Sequence, residues 1–170
     1  LPGLLPLSLR ASDDDSLAVL ISVDGLAHFY LDDPKAEMPN IRRLAAEGAR
    51  AEKMTASTPT VTWPNHTTLV TGVTPAKHGV LGNALFDRAK GELVPLMVDP
   101  IFNKDEIVKT PTIYDVAKQA GLKTAALVWP ATRGAPTLDW TMPDVGTLEL
   151  TKQFGTPSLL EEFTAAGIPW

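Results

Sequence analysis

Cysteine is absent from these 170 residues, which excludes disulfides and thiolate metal sites. The redox compartment stays open, because exported and cytosolic proteins alike can lack cysteine. Basic blocks are missing as well. With 15 Lys and Arg against 20 Asp and Glu, a net charge of -5 and a pI near 5.1, the chain has no composition for neutralising a nucleic-acid polymer. Any phosphate recognition has to be local. Histidine occurs only at His28, His66 and His78, and no His-x-x-x-His pair marks a helical zinc site. Neither a Gly-x-x-x-x-Gly-Lys-Ser/Thr loop nor a strand-following Gly-x-Gly-x-x-Gly is present, so two common nucleotide-binding signatures are unsupported. Long apolar runs are also lacking. Leu1 to Leu9 is apolar but short and broken by Pro2 and Pro6, so it is no membrane span, which needs about 20 residues. With no initiator Met, residues 1–16 read as a mature N-terminal arm left by processing or trimming.

What remains is an ordinary globular composition, 44% apolar and 21% charged, on a length suited to one domain. Leu17 to Val23 is a short continuous apolar run, the pattern of a strand buried on both faces of a parallel sheet. Two more strands are expected near 49–56 and 123–129. Pro39 through Gly48 reads as a helix with proline in its first turn and glycine at its end, and Thr110-Pro111 to Gly121 and Thr156-Pro157 to Gly167 repeat that syntax. Ala84 to Asp87 and Glu92 to Leu96 flank Arg88-Ala89-Lys90-Gly91 as a hairpin outside the main sheet. The fold class is α/β, a parallel central sheet flanked by helices. It looks incomplete, because three parallel strands fall short of the roughly five or six of a mean sheet, and the chain stops after Ile168-Pro169-Trp170 where another strand would begin.

Chemistry concentrates in Thr58 to Leu69, where Thr62 stands at the start of a helix running to Gly72 with Pro64 in its first turn. Thr62 is either a helix cap or a nucleophile. A helix N-terminus contributes only about 0.3 to 1 kcal/mol, or about 2 when partly buried. A bound metal can lower the pKa of water from 15.7 to about 7, on the order of 12 kcal/mol. If Thr62 attacks phosphorus, a metal has to activate it. Asp24, at the C-terminal edge of the first apolar run, is the best first ligand, and it is equally readable as a turn-forming Asp-Gly pair. Asn83, flanked by glycine, is either a phosphoryl-oxygen donor or a loop residue of unusual conformation. His28 pairs with Asp24 only if that segment is helical, and His66 and His78 read as loop-bracing residues. Asn65-His66-Thr67 matches a glycosylation pattern that the proximity of Thr62 argues against. Asp13-Asp14-Asp15 and Lys104-Asp105-Glu106 read as solvated charge. Trp63, Trp129 and Trp140 read as packing residues, with Trp63 also placed to meet a ligand base.

Taken in order, Ile21-Ser22-Val23-Asp24-Gly25-Leu26, Pro39 to Gly48, Thr60-Val61-Thr62-Trp63-Pro64-Asn65-His66, Leu69-Val70-Thr71-Gly72 and His78-Gly79-Val80-Leu81-Gly82-Asn83 resemble the type I phosphodiesterase/nucleotide pyrophosphatase family of the alkaline phosphatase superfamily. The resemblance covers roughly residues 17 to 130. It implies a hydrolase with two Zn2+ ions and a threonine nucleophile at Thr62, with Asp24 and Thr62 as metal ligands and Asn83 beside the phosphoryl oxygen. The family's usual Phe before Pro-Asn-His is Trp63 here. The remaining zinc ligands of such enzymes come from the later half of a longer domain. Residues 17–170 are therefore expected to be the N-terminal portion of one alkaline phosphatase-like catalytic domain, completed by residues outside this chain, a complementary C-terminal fragment among them. The implied substrates are small phosphate esters or nucleotides, and the implied location is exported, periplasmic or extracellular, as is common for related bacterial enzymes. Two other readings stand beside this one: a phosphomonoesterase, phosphonatase or sulfatase of the same superfamily, and a truncated non-catalytic module.

Overall fold

The computed structural model describes residues 16–97 and 102–170. Most of the arm at 1–16 and the acidic triplet at 13–15 lie outside the described residues. A 3-10 turn at His28–Leu31 precedes α1 (Pro39–Glu47), which carries proline in its first turn and stops at Gly48. Helix α2 (Thr62–Thr71) ends at Gly72, whose φ of 68° is the left-handed cap geometry that a side chain resists. A single turn, α3 (Pro75–His78), leads into an antiparallel hairpin of β1 (Ala84–Asp87) and β2 (Glu92–Pro95). The expected hairpin and its turn are thus in place. Then come α4 (Lys104–Ile107), α5 (Ile113–Gln119), β3 (Ala125–Trp129), β4 (Trp140–Pro143), α6 (Leu148–Phe154) and α7 (Pro157–Ala165).

Strands β3 and β4 pair in parallel. Their register skips between Leu127 and Trp129, and Val128 sits at φ 50°, a strained position for a β-branched residue. A bulge of this kind re-aims the side chain that follows it. Here it turns Trp129 toward α2, where its ring meets His66 edge-on with centroids 5.0 Å apart.

The core is built around α2 and the segments that return to it. Trp63, Val80, Leu96, Ile107, Val108 and Ala131 form one buried cluster, with Leu85 and Phe102 against it. A second joins Val70, Tyr114 and Ala135, backed by Trp129 and Leu138. Burying Trp63 to 3% exposure fixes the first turn of α2. Truncating a residue so placed costs about 3 to 5 kcal/mol.

The α/β class holds, but the expected strands near 17–23 and 49–56 are not strands here. Both segments carry no regular secondary structure and are largely exposed, Leu17 at 86% and Ile21 at 74%. A strand exists by pairing, and among the described residues nothing pairs with either segment. Lys104 corrects the reading of 104–106 as solvated charge. It is 6% exposed, and its ammonium bonds the Asp115 carboxylate at 2.7 Å, while Glu106 closes a capping box on Asn103. Burial pushes the Asp115 carboxyl up, but Lys104, Thr137 and Thr112 outweigh it and hold the group at about 2.

Candidate active site

Helix α2 begins one residue earlier than a Thr62 cap requires. Val61, extended at φ -121° and ψ 163°, is the N-cap, and Thr62 is the first helical residue. Its hydroxyl is therefore not used in capping. Instead Thr62 Oγ1 donates to Asp24 Oδ2 at 2.7 Å, a contact across 38 residues of sequence. Asp24 occupies a turn with Gly25 at φ 71°, so the turn reading and the contact with Thr62 hold together. With its proton committed to Asp24, the Thr62 oxygen keeps its lone pairs for the opposite side.

Asn83 reaches the same helix end from the loop before β1. Its Oδ1 accepts the Trp63 backbone N–H at 2.9 Å. Of the two ends of an asparagine amide only the oxygen accepts, so this bond fixes the side-chain orientation and leaves Nδ2 as the outward donor. The first turn offers few other donors. Pro64 has no N–H, and the Asn65 N–H bonds Val61 O at 3.4 Å. The Thr62 N–H has no partner among the described residues.

Asn65 ties the preceding loop to the helix. Its Nδ2 donates to Pro59 O and Val61 O, each at 2.9 Å, and to Ser57 O at 3.3 Å, while its Oδ1 accepts from Ser57 N at 2.7 Å. An amide committed in this way is not presented for glycosylation. His66 Nδ1–H donates to Thr62 O at 2.9 Å, bracing the same turn from within the helix. His78 is fully buried, with Nδ1 accepting from Val80 N at 3.2 Å and Nε2 facing Thr68 Oγ1 at 3.1 Å. Burial pushes its pKa down, so the imidazole is held neutral. His78 braces loop backbone as its reading expects, whereas His66 lies within α2 and braces the helix's own first turn.

Other candidates fall away. His28 lies in the 3-10 turn, edge-on to Phe29, and Asp24 and His28 share no helix. Trp63 is inside the core and faces no ligand base. Among the described residues no three or more His, Asp or Glu groups gather as a metal site. Asp24 and Thr62 converge as two hard oxygen donors, which suits part of a divalent-metal shell and not the whole of one. One group near the site carries no local sequence signal. Asp144, just past β4, bonds Trp129 O through its backbone N–H at 3.4 Å, and burial pushes its carboxyl above the usual range.

The sequence model of the family described as type I phosphodiesterase/nucleotide pyrophosphatase matches residues 18–165. A venom phosphodiesterase of Macrovipera lebetinus is 35% identical over 117 residues, which is 69% of this chain and 14% of that protein. Human ectonucleotide pyrophosphatase/phosphodiesterase family member 1 is 34% identical over 112 residues, 66% of this chain and 12% of that protein. Among solved structures, human ectonucleotide pyrophosphatase/phosphodiesterase 5 superposes with a TM-score of 0.59 at 27% identity, covering 84% of this chain and 38% of that one. An inactive variant of the murine counterpart in complex with AMP superposes with a TM-score of 0.61 at 24% identity, again over 84% and 38%. The chain thus spans about a seventh of the length of these curated relatives.

Proposed function

Because this chain belongs to the type I phosphodiesterase/nucleotide pyrophosphatase family, we propose that it carries the nucleophile side of a metal-dependent hydrolase site for phosphodiester or nucleotide pyrophosphate bonds. The observation that carries the reading is the 2.7 Å contact of Thr62 Oγ1 with Asp24 Oδ2 at the N-terminus of α2. Residues 17–170 are the N-terminal portion of one catalytic domain, and the remaining metal ligands lie outside this chain. Asp24 and Thr62 would hold one divalent metal, zinc in our reading, and that ion would supply the Lewis acidity that makes the hydroxyl nucleophilic.

The chain's own residues do the rest. Asp24 takes the hydroxyl proton's hydrogen bond and so aims the Thr62 lone pairs outward. Asn83 Nδ2 and the Thr62 N–H are the donors placed to meet a phosphoryl oxygen whose charge grows in the transition state. His66, Asn65 and the buried Trp63 ring hold the turn in one geometry, which is what positioning requires. Attack by Thr62 forms its ester to phosphorus as the leaving alkoxide or nucleotide departs, and water then cleaves that ester. The family match favours diester and pyrophosphate substrates over monoesters, phosphonates and sulfates. The relatives' names, one a venom protein and one an ectoenzyme, favour an exported location.

The test is hydrolysis of an aryl nucleotide ester by full-length protein, with and without a chelator. Chelation abolishes turnover and zinc restores it, and Thr62→Ala lowers kcat by about 10³-fold or more. Undiminished turnover in Thr62→Ala removes the nucleophile assignment.

A further inference from the structure

We propose that Trp129 is a positioning residue for Thr62, acting through the imidazole of His66. Its catalytic consequence rests on the hydrolase reading above, whereas the contacts stand by themselves. The peptide joining Thr62 to Trp63 is held at both of its polar ends by side chains. Its carbonyl accepts from His66 Nδ1 at 2.9 Å, and its N–H donates to Asn83 Oδ1 at 2.9 Å. A planar unit gripped at both ends fixes the ψ of Thr62, and with it the place from which the hydroxyl leaves the helix. The His66 grip is only as firm as the ring that supplies it.

What holds that ring is Trp129. The two rings meet edge-on, with centroids 5.0 Å and planes 76° apart, a geometry that aromatic pairs prefer. An imidazole turned away from Thr62 O would give it up. The backbone that presents Trp129 is strained on both sides: Val128 at φ 50° and Ala131 at φ 57° are the non-glycine residues with positive φ among those described, and they bracket Trp129 and Pro130. Such conformations persist where the surroundings over-determine them. Here Thr132, with no exposed surface, donates from Oγ1 to Trp129 O at 2.7 Å, and Ala131 is 4% exposed within the cluster that contains Trp63. The strain has one evident result. Closing the register skip at Val128 would move Trp129 by one place along β3, and a one-residue slip sends a strand side chain to the opposite face, away from His66.

The test is a double-mutant cycle on full-length protein, read by nitrogen NMR of isotope-labelled histidine and by kinetics. His66→Asn identifies the His66 signals by their loss, and keeps an amide nitrogen where Nδ1 donates to Thr62 O. At alkaline pH His66 is expected to carry its proton on Nδ1, the tautomer that the Thr62 carbonyl selects. Trp129→Leu is expected to remove that preference and to lower kcat roughly tenfold with KM within about twofold, whereas Trp129→Phe, which retains an aromatic edge, keeps kcat within about threefold. In the His66→Asn background, Trp129→Leu is expected to change kcat less than about twofold, because the ring it held is gone. An unchanged tautomer in Trp129→Leu, a loss carried by KM alone, or an equal loss of kcat in both backgrounds overturns the proposal. An inactive full-length protein would sink the hydrolase reading instead, and the tautomer would still decide whether Trp129 sets the His66 ring.

Discussion

In the proposed function Asn83 has two jobs for the two ends of one amide, and a pair of substitutions separates them. Oδ1 accepts the Trp63 N–H at 2.9 Å, while Nδ2 is left outward beside Thr62. Asn83→Asp preserves an oxygen for Trp63 and replaces the outward donor by a second oxygen. Asn83→Ala removes both. For stability, aspartate keeps the bond and adds a negative charge at a helix N-terminus, favourable by about 0.3 to 1 kcal/mol. Alanine forfeits about 1 kcal/mol of hydrogen bonding, or about 2 to 4 °C of Tm for a domain of this size. For catalysis the order reverses. Loss of one oxyanion donor costs about 10² to 10³ in kcat. The aspartate also sets a charge against the phosphoryl group, worth about 1 kcal/mol at 4 Å in water and about 4 kcal/mol at a protein surface. Asn83→Asp is therefore expected to be the more stable and the less active of the two. Thermal unfolding and kcat/KM for an aryl nucleotide ester on the same preparations check both orders. An Asn83→Asp variant with wild-type turnover would refute the donor role, and one as destabilised as Asn83→Ala would refute the anchoring role.

Lys104→Met strands the Asp115 carboxylate in a buried site, and the expected loss is about 3 to 5 kcal/mol by chemical denaturation. Asp115 is held at about 2 in the folded chain against 3.8 ordinarily, so its stabilisation is present above about pH 4. As pH falls toward about 2 that stabilisation is lost, and Asp115→Asn should flatten that part of an acid-unfolding curve. His78 has its pKa pushed down by burial, so its contribution is present above the ordinary 6.5 and lost as pH falls below it. Tm measured from pH 7 to pH 5 is expected to fall more steeply for the native sequence than for His78→Gln.

The helices were legible because their ends carry chemistry. Pro39 and Gly48, Pro157 and Gly167, and Thr112 with its capping partner Asp115 mark their boundaries with residues whose backbone preferences are local. Thr62 was legible as a helix start, but the one-residue shift of the cap to Val61 is decided by the loop geometry that Asn65 imposes. Lys104 was misread because three charged residues in a row look solvated from composition, whereas helical phase turns the first inward and its partner lies eleven residues on. Strand β4 went unseen because Trp-Thr-Met-Pro is too short to show a period and ends in proline. Asp144 had no signal at all. Its raised carboxyl comes from burial among segments distant in sequence, which no window of sequence contains.

Thr62 and Asp24 meet from supports of unequal stiffness. The threonine stands on a turn clamped by Asn83, Asn65, His66 and a buried indole. The aspartate ends an exposed segment, 17–23, and beside it the turn holds one backbone bond of 3.5 Å, from Leu26 N to Val23 O. A ligand gripping both oxygens must also immobilise that segment, at about 1 to 2 kcal/mol for each residue fixed. Its measured affinity is lowered by that amount. Whatever pairs with residues 17–23 would restore the affinity without touching the ligand, so strand order and site occupancy become a single coupled equilibrium.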